Sequence, residues 1–97
     1  MSKKIIWSDE AKSDYSVNVE YLLNKWSVAD AQEFVDNVAN IISVLDQMPD
    51  MFPLSNYQKI RKGVVCKQIS ILYQVHQTEI HILRFWDNRQ NPKKLKL

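Results

Sequence analysis

The strongest candidates for a polar site in this chain are the cations and neighbouring aromatic residues of its second half, which carries nine of the 13 lysines and arginines. In the stretch FWDNRQNP, residues 85–92, Trp86, Asp87, Asn88 and Arg89 follow one another directly. Guanidinium groups bind phosphates and carboxylates bidentately and stack on aromatic rings. The cations of this half, apart from Lys59, are Arg61, Lys62, Lys67, Arg84, Arg89, Lys93, Lys94 and Lys96. They are typical either of a binding surface or of a sheet edge protected by charge.

Two arginines favour the binding interpretation. Arg84 and Arg89 lie in or against an apolar aromatic run, whereas the lysines of the C-terminal KKLKL are better explained as a charged edge. Asp87 is expected to orient Arg89. The predicted target-binding or partner-binding residues are Arg61, Lys67, Arg84, Trp86, Asp87 and Arg89, with Arg89 and Arg61 as the weak candidates for catalysis.

Other kinds of chemistry find little support in the sequence. Cys66 is the one cysteine, so an intrachain disulfide and a cysteine-based metal site are excluded. It falls in a predicted turn. His76 is interpreted as a turn residue and His81 as a packed or half-exposed strand residue, without metal-ligand spacing. No glycine-rich phosphate loop is present. We therefore predict no metal and no cofactor.

Length and composition predict one folded domain covering residues 1–97. Apolar residues make up 45% of the chain and charged residues 25%, as in ordinary globular proteins. The start, MSKKIIW, does not resemble a signal peptide, and no apolar run is long enough to span a bilayer. The sequence thus predicts a cytoplasmic protein without a membrane partner.

The net charge of +2 conceals a polarised layout. Residues 1–50 carry four lysines against nine carboxylates, a net of −5. Residues 51–97 carry nine lysines and arginines against two carboxylates, a net of +7. Either the second half presents a basic face to an acidic or nucleic-acid partner, or the two halves pair with each other across the fold.

The order of predicted elements is β, α, α, β, β, β. Alternating or branched apolar residues indicate strands at about 3–7, 59–65, 69–75 and 80–86. Helical spacing indicates one helix over about 9–25 and a second that follows the N-cap Ser27 and ends at Pro49. The acids Asp9, Glu10 and Asp14 are interpreted as charges at the start of the first helix.

These elements predict an α+β fold with two antiparallel helices packed on one face of an antiparallel sheet. The last three strands are joined by short turns and should form a meander. The first strand must join the sheet by a long crossover through both helices. The other face of the sheet should be partly open.

The whole chain resembles the RelE/ParE toxin superfamily of bacterial type II toxin–antitoxin systems. The resemblance is carried by IIWSDEAKSDY at the start, IRK at 60–62, ISILYQV at 69–75 and IHILRFWDNRQNP at 80–92. It implies a plasmid-stabilisation type of toxin that a cognate antitoxin neutralises, in a toxin–antitoxin hetero-oligomer. ParE-like members inhibit DNA gyrase, whereas RelE-like members cleave mRNA in the ribosome without a metal.

The RelE-like pattern mostly fails at the matching positions. Its arginine in the hairpin strand corresponds to Ser70, and its later arginine corresponds to Arg89. Its C-terminal tyrosine has no counterpart in residues 90–97. The resemblance thus favours a ParE-like gyrase inhibitor that is not an enzyme. The alternatives are a divergent metal-independent endoribonuclease, using Arg89 with Arg61, Lys67 or Arg84, and a non-toxic relative that binds an antitoxin.

Overall fold

The computed structural model describes residues 3–55 and 59–88. The element order is the one that the sequence predicts. The strands are β1 (Lys4–Trp7), β2 (Arg61–Cys66), β3 (Ile69–Val75) and β4 (Glu79–Asp87), and the helices are α1 (Asp9–Lys25) and α2 (Val28–Gln47). Neither helix in this part of the chain is long and apolar enough to cross a membrane.

Both helices begin at a serine cap. The Ser8 hydroxyl accepts a hydrogen bond from the Ala11 amide at 2.9 Å, and the Ser27 hydroxyl accepts one from the Asp30 amide at 3.0 Å. Each cap satisfies one amide that the first helical turn would otherwise leave unpaired. Because the link between the helices is only two residues long, α2 folds back beside α1.

The four strands form one mixed sheet in the order β1-β4-β3-β2. Strands β2, β3 and β4 are antiparallel neighbours, which confirms the predicted meander. The chain crosses from β1 through both helices before β4 returns beside β1, and this pair is parallel, with Ile5 opposite Ile80. The predicted fold class is confirmed.

The core lies between the helices and one face of the sheet. Four aromatic side chains from β1, α1, α2 and β4 meet there, with ring centroids 5.1–6.3 Å apart. They are Trp7, Tyr15, Phe34 and Phe85. Phe85 contacts the other three rings, so β4 packs against β1 and against both helices in this core.

The segment after α2 is folded against β2. The ring of Phe52 covers Gly63 so closely that an added Cβ would lie 2.5 Å from a ring carbon. A residue with a larger side chain would not fit at position 63 unless this ring moved. The hydroxyl of the fully buried Tyr73 donates to the Pro49 carbonyl at 3.0 Å. Burial raises the pKa of this hydroxyl above its ordinary value, so Tyr73 stays a hydrogen-bond donor.

Strand β2 begins and ends later than the sequence predicts, at Arg61 and Cys66. Cys66 is the last residue of β2 and pairs with Ile69, whereas the sequence placed it in a turn. A shift in register between Val64 and Cys66 leaves Val65 as the extra residue of a bulge. The bulge lets Val65 enter the core and shortens the turn to Lys67 and Gln68.

Candidate functional site

The sheet face that points away from the helices is partly closed. Ser70 lies opposite Trp86 and Leu72 lies opposite Arg84 in the β3–β4 pair. Leu72 and Trp86 form a second buried apolar cluster with Ile60. By contrast, Val64 on the outer strand β2 is 64% exposed. This face therefore has an apolar centre and an accessible margin.

Arg84 is held at the edge of the sheet by an acid of the first helix. Its Nε donates to Asp14 Oδ2 at 2.6 Å, and one of its terminal nitrogens donates to Asp14 Oδ1 at 3.1 Å. The same carboxylate accepts the Phe85 amide at 3.1 Å. The hydrogen bond from Asp14 raises the pKa of the Arg84 guanidinium above its ordinary value.

The topology explains why an acid is needed there. Strand β1 ends at Trp7, opposite Ile82, so the following residues of β4 have no neighbouring strand on that side. Asp14 supplies an acceptor to one amide of this edge, that of Phe85. The interpretation of Asp14 as a helix-start charge is therefore wrong. The sequence did carry a signal, because Asp14 lies three residues after the buried Ala11, on the sheet-facing side of α1.

Arg84 also lies over Trp86. Its Cζ atom is 5.6 Å from the centroid of the indole ring, within the range of a cation–π contact. The structure thus brings these two predicted binding residues together, and a third, Asp87, lines the same small cavity. Both are largely enclosed, since the Arg84 side chain is 20% exposed and Trp86 is 8% exposed.

Arg61 serves the loop that precedes β2. One terminal nitrogen donates to the Phe52 carbonyl at 2.7 Å, and the other lies 3.1 Å from Asp50 Oδ1. Since Arg61 is the first residue of the outer strand, it lies two strands away from Arg84 in the sheet.

The end of β4 is fixed by Asn88, the residue that follows the strand. The Asn88 amide donates to the Gln68 carbonyl at 2.7 Å, and the Ser70 hydroxyl donates to Asn88 Oδ1 at 3.0 Å. Ser70 itself is fully buried. Asp87 is the last residue of β4. Arg89 lies outside the described residues, so its catalytic or binding role and its orientation by Asp87 stay predictions.

Lys67 lies in the turn between β2 and β3 and borders an apolar groove of about 220 Å³. The groove runs along the end of the helix pair, with the buried side chains of Leu22 and Phe34 among its walls. Trp26, which is 56% exposed, also lines it. The sequence analysis did not single out this groove, because its walls come from three separate parts of the chain.

The rim of the groove is charged. Asp30 and Glu33 of α2 stand on one side and Lys67 on the other. An apolar recess with a few charged groups at its border is typical of a protein-binding surface. The five described residues of the predicted binding set thus do not form one site: Arg84, Trp86 and Asp87 lie together, and Arg61 and Lys67 lie elsewhere.

Comparison with known proteins identifies a family to which this sequence is similar. A family model described as the ParE toxin of the type II toxin-antitoxin system, parDE, matches residues 5–92. No curated protein matches the sequence significantly.

Solved structures share the fold at low identity. The chromosomal ParDE TA system from P. aeruginosa superposes with a TM-score of 0.75 at 18% identity, covering 89% of this chain and 96% of that one. The YoeB dimer from Staphylococcus aureus gives 0.63 at 15% identity, with coverages of 88% and 95%. The E. coli DinJ-YafQ complex gives 0.61 at 10% identity, with coverages of 90% and 93%.

Proposed function

Because this chain belongs to the ParE toxin family of type II toxin–antitoxin systems, we propose that it inhibits DNA gyrase and is neutralised by a cognate antitoxin protein. The observation that carries the choice of target is Ser70. This residue stands where RelE-like nucleases are expected to have an arginine, and it is fully buried and bonded to Asn88. It offers no cation to a phosphate.

The other arginines support the same choice. Metal-independent cleavage of RNA needs cations aimed at the charge that develops on the phosphate. The guanidinium of Arg84 is engaged by Asp14, and that of Arg61 by Asp50 and the Phe52 carbonyl. Both cations therefore stabilise the fold, and recruiting either for catalysis would break an existing ion pair.

Two assays with the purified protein separate the possible targets. We expect it to block supercoiling of a relaxed plasmid by purified gyrase while leaving mRNA intact in a translating cell-free extract. Primer extension on the message reads the second result. Codon-phased cleavage of the message with gyrase unaffected would contradict the proposal. Absence of both effects would identify a non-toxic relative.

We further propose that the antitoxin inserts an apolar side chain into the groove beside Trp26. The groove is open to solvent, and two further apolar residues near the turn between the helices, Leu23 and Val28, are exposed. Exposed aromatic residues next to a recess commonly dominate protein-binding energies. The acids Asp30 and Glu33 would pair with cations of the antitoxin, and Lys67 with one of its carboxylates.

This proposal predicts that Trp26→Ala weakens antitoxin binding by about 2 kcal/mol, the usual effect of truncating an aromatic hot spot. Calorimetric titration with the protein encoded beside the toxin gene measures the change. Met48→Ala is the matched control, because Met48 is 59% exposed at the far end of α2, about 30 Å away along the helix. Equal affinities for the two variants would place the antitoxin elsewhere.

A further inference from the structure

Two histidines that the proposed function does not use lie close together near the turn between β3 and β4: His76 follows β3, and His81 lies in β4. The ring centroids of His76 and His81 are 4.3 Å apart. His81 lies opposite Gln74 in the β3–β4 pair, so the side chains of His81 and Gln74 belong to the sheet face that points away from the helices. His81 Nε2 donates to Glu79 Oε1 at 2.9 Å, and this bond holds the pKa of the Glu79 carboxyl below its ordinary value.

The surroundings of this pair are cationic. Lys3 donates through Nζ to the carbonyl oxygens of His76 and Gln77, which fastens the turn to the start of the sheet. Lys4 lies opposite Glu79 in the β1–β4 pair. On the other side, Lys59 lines a cavity of about 300 Å³ together with Gln74, Val75 and His76.

Lys59 is an available charge. It is exposed, and among the described residues it makes no ion pair. Its backbone adopts φ 60°, an uncommon conformation for a residue with a side chain. The described residues that line the cavity include one lysine and one imidazole, Lys59 and His76, and no carboxylate.

This chemistry selects an anion as the ligand. The ammonium group of Lys59 repels a metal cation, and no three His, Cys, Asp or Glu side chains in residues 3–55 and 59–88 are grouped to hold one. A phosphate group has enough oxygens to accept from a lysine ammonium and an imidazole N–H at once. The cavity is also large enough to admit it.

We propose that the cavity between Lys59 and the His76–His81 pair binds a phosphate group, supplied either as a free phosphate or by a nucleic-acid backbone. Lys59 provides the permanent charge, and His76 provides a donor at the cavity wall. This site lies at the β3–β4 turn, at the opposite end of those strands from Ser70 and Asn88. It does not depend on gyrase being the target.

The test is a titration of the intact protein, followed by NMR on the histidine ring signals and the Lys59 and Gln74 amides. One arm uses inorganic phosphate and the other a short single-stranded RNA at fixed salt. We expect the shifts of these signals to saturate as the ligand concentration rises. Lys59→Gln should weaken binding about tenfold, the effect of losing one charge-assisted hydrogen bond. His76→Ala should also weaken binding, because it removes the imidazole donor from the cavity wall.

Lys12→Gln is the matched control, because it removes the same charge from an exposed lysine on α1. Saturation by phosphate supports a site for the free ion, and saturation by the RNA alone supports a backbone phosphate. Equal losses in Lys59→Gln and Lys12→Gln would reduce the effect to general attraction between charges and overturn the proposal. Failure of both ligands to saturate the signals would also overturn it.

Discussion

Asp14 joins the first helix to the last strand through one carboxylate. It accepts two hydrogen bonds from Arg84 and one from the Phe85 amide, and its side chain is 18% exposed. Asp14→Ala leaves a guanidinium and an amide without their acceptor. We expect the free energy of unfolding to fall by about 2 kcal/mol, as for hydrogen bonds to charged groups. Urea denaturation measures the change.

Asp9→Ala provides the comparison at a solvated position. Asp9 is an exposed acid in the first turn of the same helix, and its loss should cost only about 0.5 kcal/mol through the helix dipole. Asp14→Asn should lie between the two, because an amide oxygen can still accept from Phe85 but carries no charge. If Asp14→Ala and Asp9→Ala proved equally stable, Asp14 would not fasten the edge of β4.

At this scale, the sequence predicts contacts that are local and misses those that are not. Ser27 is recognisable as a cap, because the amide that it binds is three residues away. Asp14 and Arg84 are 70 residues apart, and only the crossover from β1 to β4 brings them together. Arg84 therefore resembled a binding residue in the sequence, although its guanidinium is engaged within the fold.

The loop that precedes β2 behaves as part of the sheet. Phe52 covers Gly63, and Arg61 binds the carbonyl of Phe52, so the ring has little freedom to move. Gly63→Ala places a methyl group 2.5 Å from the ring. We expect a loss of about 2 kcal/mol in the free energy of unfolding, typical of overpacking. Thermal or urea denaturation measures it.

A second substitution tests whether the ring is the cause. In the Gly63→Ala, Phe52→Ala double variant the clash is absent, so the two single losses should not add. Strict additivity would show that Gly63 is required for its backbone freedom within β2 and not for its contact with Phe52.

The boundaries of helices and strands can be predicted from the sequence where local interactions set them. The bounds of α1 and β3 agree with the prediction, because a serine cap starts the helix and strict alternation marks the strand. The end of β2 does not agree, since the bulge before Cys66 depends on its pairing with β3. The groove beside Trp26 was missed for the same reason: it exists only once α1, α2 and the β2–β3 turn are assembled.

At the scale of the whole molecule, the aromatic residues that stabilise the fold differ from the aromatic residue that is proposed to bind the antitoxin. Phe85 is 2% exposed and touches three other rings, whereas Trp26 is 56% exposed at the groove. Phe85→Ala should cost about 4 kcal/mol, as for other buried aromatic residues. That is a large share of the 5–15 kcal/mol that stabilises a typical domain, so the variant should unfold well below the melting temperature of the parent.

Trp26→Ala should change the free energy of unfolding by less than about 0.5 kcal/mol, because it removes an exposed side chain. Calorimetric melting of the two variants, alone and with the antitoxin, tests both assignments together. With antitoxin, Phe85→Ala should regain melting temperature, since a ligand that binds only the folded state stabilises it. Trp26→Ala should show a smaller antitoxin-induced increase than the parent. An equal increase in melting temperature would show that Trp26 does not contact the antitoxin, and it would leave the assignment of Phe85 to the core unchanged.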